Sequence, residues 1–171
     1  MSPPYTIAEV NAFQRDDFVR VIGPVFERSA WIAEMAWARR PFPTVAALHD
    51  ALCRSVQEAG LEKQLALIRA HPDLVGRAAL AGTLTSESTK EQASAGLDKL
   101  SADEIATFKK YNEAYQAKFG FPFVVCARLN KKEAILAGFE KRLQGSRQEE
   151  IQAALEEISK IAWLRLRDIV S

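Results

Sequence analysis

The chain has 171 residues, 48% of them hydrophobic and 26% charged, a composition that fits one compact domain and argues against a disordered or membrane-spanning protein. The 23 basic and 22 acidic residues nearly cancel, so the overall charge offers no general attraction for nucleic acid or an anionic membrane. Neither terminus carries a recognisable leader or peroxisomal signal, and we therefore expect a cytoplasmic protein with a single domain over residues 1–171.

Helical patterns dominate the first part of the chain. Thr44 can cap a helix that runs to about Ala59, because apolar residues recur at helical spacing between them. A second helix from about Leu61 should stop at His71, since the residue before Pro72 disfavours the α conformation. Shorter helices precede these two, with predicted starts near Asp16 and Ser29.

The stretch from about Asp73 to Thr85 lacks clear helical amphipathicity, and such a loop is a natural place for functional residues. Residues 86–92 follow it with hydroxyl, amide and carboxylate groups. If Ser88 or Thr89 begins a helix, the N–H groups of its first turn favour an anion. The alternative is an ordinary helix cap followed by a favourable acidic first turn.

Capping boxes mark two helices in the second half. Ser101 with Glu104 predicts a helix that ends at Gly120, and residues 121–127 then read as a buried extended segment. Ser146 with Glu149 predicts the last helix.

Another helix is expected between these two, capped by Asn130 and ended by Gly145. The repeated pattern of cap, apolar stripe and glycine stop indicates an all-α, multi-helix bundle.

Two residues stand out as candidates for chemistry. His71 can act as a general acid or base near neutral pH, or it can simply stabilise the C-terminal end of a helix. Arg165 lies on the shoulder of the apolar stripe of the last helix, where it can pair with an internal carboxylate or bind a substrate carboxylate. Sequence spacing alone leaves both alternatives open for both residues.

The remaining polar and sulfur-containing residues have simpler interpretations. Asn112 interrupts an apolar seam and is expected to satisfy buried backbone groups. Cys53 and Cys126 lie among apolar residues and are read as small buried hydrophobes rather than as a disulfide or a nucleophile. The two cysteines and two histidines show no zinc-ligand spacing, so no metal is expected.

Several strings together resemble, in order and spacing, the motifs of the OHCU decarboxylase family, where OHCU is 2-oxo-4-hydroxy-4-carboxy-5-ureidoimidazoline. The three most specific strings are His71–Leu74, Ser88–Gln92 and Phe119–Phe123. Supporting strings are Arg40–Phe42, Ala95–Leu97, Asn112–Tyr115 and Lys160–Leu166. The resemblance therefore covers essentially the whole chain.

This resemblance implies an all-helical, often homodimeric enzyme without metal or organic cofactor. It implies that the protein makes (S)-allantoin from OHCU, after urate oxidation and hydroxyisourate hydrolysis. His71 and Glu91 would be the catalytic pair. Substrate contacts would come from the side chains of Pro72, Ser88, Gln92 and Arg165 and from the main chain of Phe123, Val124, Val125, Cys126 and Ala127.

Two rival functions follow from the same residues. In a helical interaction module, the motif residues would only cap and connect helices. In a serine hydrolase, Ser88 would act with His71, but Ser88 lies outside any Gly-x-Ser-x-Gly turn and serves readily as a helix cap.

Overall fold

The computed structural model describes residues 2–171. Within that range the protein is helical and contains no β-strand, and a single bridge joins Tyr5 to Val170. No described helix is both long and apolar enough to cross a membrane. The predicted all-α fold is therefore confirmed.

The chain divides into two compact units. One consists of Met1–Ala70 together with Ser159–Ser171, and the other of His71–Ile158. Whether residues 1–171 fold as one domain stays a prediction, because a division by compactness does not measure independent folding.

The first unit contains five helices ahead of the terminal one. They are α1 (Ile7–Ala12), α2 (Arg15–Ile22), α3 (Trp31–Ala36), α4 (Val45–Glu58) and α5 (Leu61–Ala70). Thr44 caps α4 through its side chain as predicted, and α2 and α3 begin within two residues of their predicted starts. The sequence analysis did not predict α1.

Polar side chains join separate segments of the first unit. The side-chain amide of Asn11 donates to Phe42 O and accepts from Phe42 N, each at 2.8 Å. The guanidinium of Arg40 stacks on the Trp37 ring and donates to Asn11 O at 2.9 Å. These bonds stabilise the approach to α4, while Phe18 and the other large apolar residues of this unit fill its core.

The second unit holds α6 (Arg77–Leu80), α7 (Ser86–Ser94), α8 (Ala102–Phe119) and α9 (Lys132–Arg142), and α10 (Arg147–Ile169) begins there. The capping box of Ser101 with Glu104 is formed. So is the reciprocal pair of Ser146 with Glu149. Gly120 ends α8 in the left-handed conformation, at φ 79°.

Three predicted helix ends were wrong. Thr85 rather than Ser88 or Thr89 caps α7, because its hydroxyl accepts from the N–H of Ser88. Lys131 rather than Asn130 precedes α9, because the Asn130 side chain donates to Cys126 O instead. Helix α9 ends at Arg142, before Gly145.

An aromatic cluster with a partly buried ion pair forms the core of the second unit. Tyr115 packs edge-on against Phe123, which stacks on Phe139. The Tyr115 hydroxyl donates to Glu150 Oε1 at 2.6 Å, and Arg142 Nε donates to the same oxygen at 2.7 Å. Burial raises the pKa of the Tyr115 phenol, and its bond to Glu150 raises it further, so the phenol stays a donor at physiological pH.

Candidate active site

His71 begins the second unit directly after α5 ends at Ala70. The break follows from Pro72, whose ring excludes the α conformation at the preceding residue. The His71 side chain is only 8% exposed. A buried imidazole at the end of a helix is a suitable general acid or base, provided that other groups hold it in place.

The backbone after His71 makes a tight turn. Gly76 N donates to Asp73 O at 3.2 Å, and Val75 adopts a left-handed conformation at φ 54°. A Cβ atom on Gly76 would lie 2.5 Å from the Cβ of Asp73, so this turn requires glycine. Partial burial raises the pKa of the Asp73 carboxyl group.

Two buried amides hold this turn. Gln92 Oε1 accepts from Val75 N at 3.1 Å, and Gln92 Nε2 donates to Asp73 O at 3.5 Å. Asn112 Nδ2 donates to Leu74 O at 2.8 Å. The prediction that Asn112 satisfies buried backbone is therefore confirmed. Gln92, which the resemblance assigns to substrate, also connects α7 to the segment that carries His71.

Helix α7 carries three of the predicted site residues. Ser88 lies in its first turn and is 5% exposed, and Gln92 is 7% exposed. Glu91 lies in the second turn and is partly exposed. The helix begins at Ser86, two residues before Ser88, so Glu91 lies in its second turn rather than its first.

The segment from Phe123 to Ala127 is largely buried, as predicted, and lies outside any α-helix. Cys126 has an extended backbone, and Ala127 begins a short 3₁₀ turn. Much of its main chain bonds within the protein. Val124 O accepts from Arg142 Nη1 at 2.6 Å, and Cys126 N donates to Glu157 Oε1 at 3.3 Å. Of its five residues, Val125 is the one that is partly exposed.

Two acidic residues influence the cysteine of this segment. Burial raises the pKa of the Cys126 thiol, and the negative charges of Glu157 and Glu91 raise it further. Helix α7 also packs against the 3₁₀ turn Ala127–Leu129, and Lys131 Nζ donates to Ser94 O at 2.9 Å. The second unit therefore connects α7 both to the turn after His71 and to the segment around Cys126.

Arg165 lies on the part of α10 that belongs to the first unit, and it is 5% exposed. Its Nη2 donates to Glu27 Oε2 at 2.9 Å, and its Nη1 donates to Pro24 O at 3.3 Å. One of the two interpretations left open by the sequence, pairing with an internal carboxylate, is therefore observed. Glu27 was not predicted, because a partner 138 positions away leaves no local signal in the sequence.

A cavity of about 1060 Å³ opens between residues 73–81 and α8. Asp73, Val75 and Gly76 line it on one side, and Ile105, Asn112 and Gln116 are among the α8 residues that line it. None of the predicted catalytic or substrate-binding residues is among its lining residues. The described residues also include no group of three or more His, Cys, Asp or Glu side chains placed to hold a metal ion.

Comparison with known proteins finds similarity over nearly the whole chain. The sequence model of a family described as OHCU decarboxylase matches residues 11–167. A protein of Haloferax volcanii named 2-oxo-4-hydroxy-4-carboxy-5-ureidoimidazoline decarboxylase is 44% identical over 163 residues, which cover 95% of each chain. A protein of the same name from Amia calva is 40% identical over 162 residues, covering 95% of this chain and 93% of that one.

A solved structure described as (S)-allantoin synthase has the same fold. It superposes with a TM-score of 0.77 at 27% identity and covers 98% of this chain and 54% of its own.

Proposed function

The chain belongs to the OHCU decarboxylase family, and we propose that it decarboxylates OHCU to (S)-allantoin in urate degradation. The observation that carries this proposal is the 44% identity, over 95% of both chains, with a protein of that name. Because similarity of this extent spans both compact units, the proposal concerns the whole chain.

The substrate chemistry requires little from the protein. In OHCU a ring C=N bond adjoins the carbon that bears both the carboxylate and the hydroxyl group. When carbon dioxide leaves, the electron pair of the broken bond moves into the ring, so the substrate provides its own electron sink. The protein has to orient the ring, exclude water and deliver a proton to one face.

We assign the acid–base work to His71 and Glu91. His71 acts on the substrate hydroxyl group and promotes carbon–carbon cleavage, and Glu91 orients the imidazole. Three observations support this assignment: His71 is buried, the turn after it is held by Gln92, and Glu91 precedes Gln92 on the same helix. One of the two groups then protonates the ring carbon to give the S enantiomer.

Substrate contacts are assigned to neighbouring groups of the second unit. Pro72, Ser88 and Gln92 contact the ring and the ureido group, and the main chain of Phe123 to Ala127 stabilises the developing enolate-like charge. Since Val124 O and Cys126 N are bonded within the protein, Val125 is the favoured contributor from that segment.

Arg165 is assigned to the anionic side of the substrate. Its bond to Glu27 is compatible with this role, because a planar guanidinium has five N–H donors and Glu27 can fix its orientation. We extend the proposal to a cytoplasmic location and, on the resemblance to the family, to a homodimer. Sedimentation equilibrium on the purified protein would test the homodimer.

The decisive assay supplies OHCU freshly generated by enzymes and follows the circular dichroism of the allantoin formed. We expect OHCU to disappear much faster than it decays spontaneously, with only (S)-allantoin as product. A racemic product formed at the spontaneous rate would overturn the proposal and favour an interaction module.

A further inference from the structure

Three polar side chains of the first unit form a cluster that the proposed reaction does not use. His49 and Cys53 lie one turn apart on α4, and Ser159 faces them from α10. Cys53 Sγ lies 3.6 Å from His49 Nε2 and 3.4 Å from Ser159 Oγ. His49 Nε2 also lies 2.9 Å from the carbonyl oxygen of Ser159.

These distances define which atoms donate. A carbonyl oxygen can only accept, so His49 Nε2 carries a hydrogen and donates it to Ser159 O. The same N–H group lies within reach of the Cys53 sulfur. The Ser159 hydroxyl becomes a second donor to that sulfur when the thiol loses its proton, because a thiolate can only accept. The Trp163 ring packs edge-on against the imidazole, with ring centroids 5.3 Å apart, and holds it in this orientation.

The charges around the cluster favour the thiolate. Partial burial raises the pKa of the Cys53 thiol, but the hydrogen bonds from His49 and Ser159 and the charge of His49 outweigh burial and lower this pKa overall. Asp50 is the acidic neighbour that opposes the thiolate, and it also favours the charged form of His49.

The other cysteine provides an internal contrast. Cys53 is partly exposed, whereas Cys126 is 1% exposed and has a pKa raised by burial. The prediction that both are small buried hydrophobes is confirmed for Cys126 and is wrong for Cys53. The signal that separates them is the histidine four residues before Cys53 on the same helix.

We propose that Cys53 is a thiol-modification site, at which His49 and Ser159 hold a thiolate that exchanges with low-molecular-weight disulfides. The thiol releases its proton to solvent, and its sulfur attacks one sulfur of the disulfide. A new sulfur–sulfur bond forms to Cys53 as the old one breaks. The electron pair of the broken bond leaves on the second thiolate, which takes a proton from solvent.

The test uses 5,5′-dithiobis-(2-nitrobenzoate), a small disulfide whose released thiolate is coloured, on the folded full chain. The Cys126→Ser variant reports Cys53 alone, and the Cys53→Ser variant reports Cys126 alone. At pH 7 we expect Cys53 to react at least about tenfold faster than Cys126, because a thiolate reacts and a buried thiol does not. The rate of Cys53 should also level off at a lower pH than that of an unperturbed thiol, whose pKa is about 8.5.

A His49→Phe change in the Cys126→Ser background removes the donor and keeps an aromatic ring beside Trp163. We expect the reaction rate of Cys53 at pH 7 to fall about threefold or more. A higher thiol pKa leaves a smaller fraction of thiolate, and the greater nucleophilicity of that thiolate offsets the loss only in part. The pH at which this rate levels off should also be higher. Loosening of the helix would instead expose the sulfur and speed the reaction. Equal rates for the two cysteines, or an unchanged or faster His49→Phe variant, would overturn the proposal.

Discussion

Gln92 and Asn112 show how buried amides position the segment that carries His71. Their side chains bond three consecutive residues of the turn, at Asp73 O, Leu74 O and Val75 N. The bonds to Val75 N and Leu74 O are buried, so losing either one leaves an unsatisfied polar group at a cost of about 1–3 kcal/mol. The turn is therefore held by the side chains of two separate helices, and His71 stands at its start.

The first prediction concerns Glu91. Replacing it with Gln removes the carboxylate that we propose orients His71, and we expect kcat to fall by about 10² to 10⁴. Glu87→Gln is the matched control, because it makes the same change one turn earlier on α7 and should leave kcat within about twofold. Steady-state kinetics on both variants provide the measurement. Equal kcat values for the two variants would remove Glu91 from the chemistry.

The second prediction concerns Arg165. Lysine keeps its charge but loses the planar fork, so Arg165→Lys should weaken the binding of (S)-allantoin in a calorimetric titration. Glu27→Gln is the companion variant, because it breaks the same buried ion pair from the other side. Removing one partner of a buried pair costs about 3–5 kcal/mol of stability, which thermal unfolding would register.

The two readouts separate the two roles of Arg165. If this residue binds substrate, Arg165→Lys loses affinity while the protein is still folded at the assay temperature. An unchanged affinity for allantoin, with a lowered melting temperature in both variants, would leave Arg165 with only its internal ion pair.

At the scale of helices, local sequence was sufficient to predict where a helix begins if the residues that form its cap lie next to each other in the chain. The Ser101 and Ser146 capping boxes are formed as predicted, because both bonding partners lie within one turn. Asn130 was predicted wrongly as a cap because its side chain bonds Cys126 O. The competing acceptor belongs to a segment whose path the sequence does not show.

The start of α7, which carries residues of the proposed site, was also not predictable from local sequence. The stretch 85–89 offers four hydroxyl groups, any of which can cap a helix, and Thr85 is the one that does. Because Thr85 is the cap, Glu91 lies in the second turn of α7 rather than in the first. Propensity ranks such residues nearly equally, so the preceding turn and its packing decide between them.

The third prediction tests the turn itself. An alanine at Gly76 would place its Cβ 2.5 Å from the Cβ of Asp73, and relieving that overlap must move the turn that follows His71. We expect a stability loss of about 1–3 kcal/mol and a several-fold lower kcat/KM. Gly138→Ala is the control: its Cβ would meet Phe123 at an ordinary 3.6 Å, and alanine favours the helix. Full activity in Gly76→Ala would show that the turn does not position His71.

At the scale of the whole molecule, the fold class and the order of most helices were predictable, because hydrophobic periodicity and caps repeat along the chain. The pairings that define the candidate site were not. Arg165 pairs with Glu27 across 138 positions, and the charge of Glu91 affects the Cys126 thiol across the whole of α8 and the segments on either side of it. Such contacts depend on how helices pack, and a single sequence taken by itself contains no record of them.

The central claim is that His71 performs the chemistry on a scaffold that does not depend on its imidazole. The most direct measurement is the turnover of freshly generated OHCU by a His71→Asn variant beside the unchanged protein, with circular dichroism and melting curves for both. We predict turnover near the spontaneous rate from a variant whose spectrum and melting temperature are little changed. Undiminished production of (S)-allantoin by a folded His71→Asn protein would contradict the account.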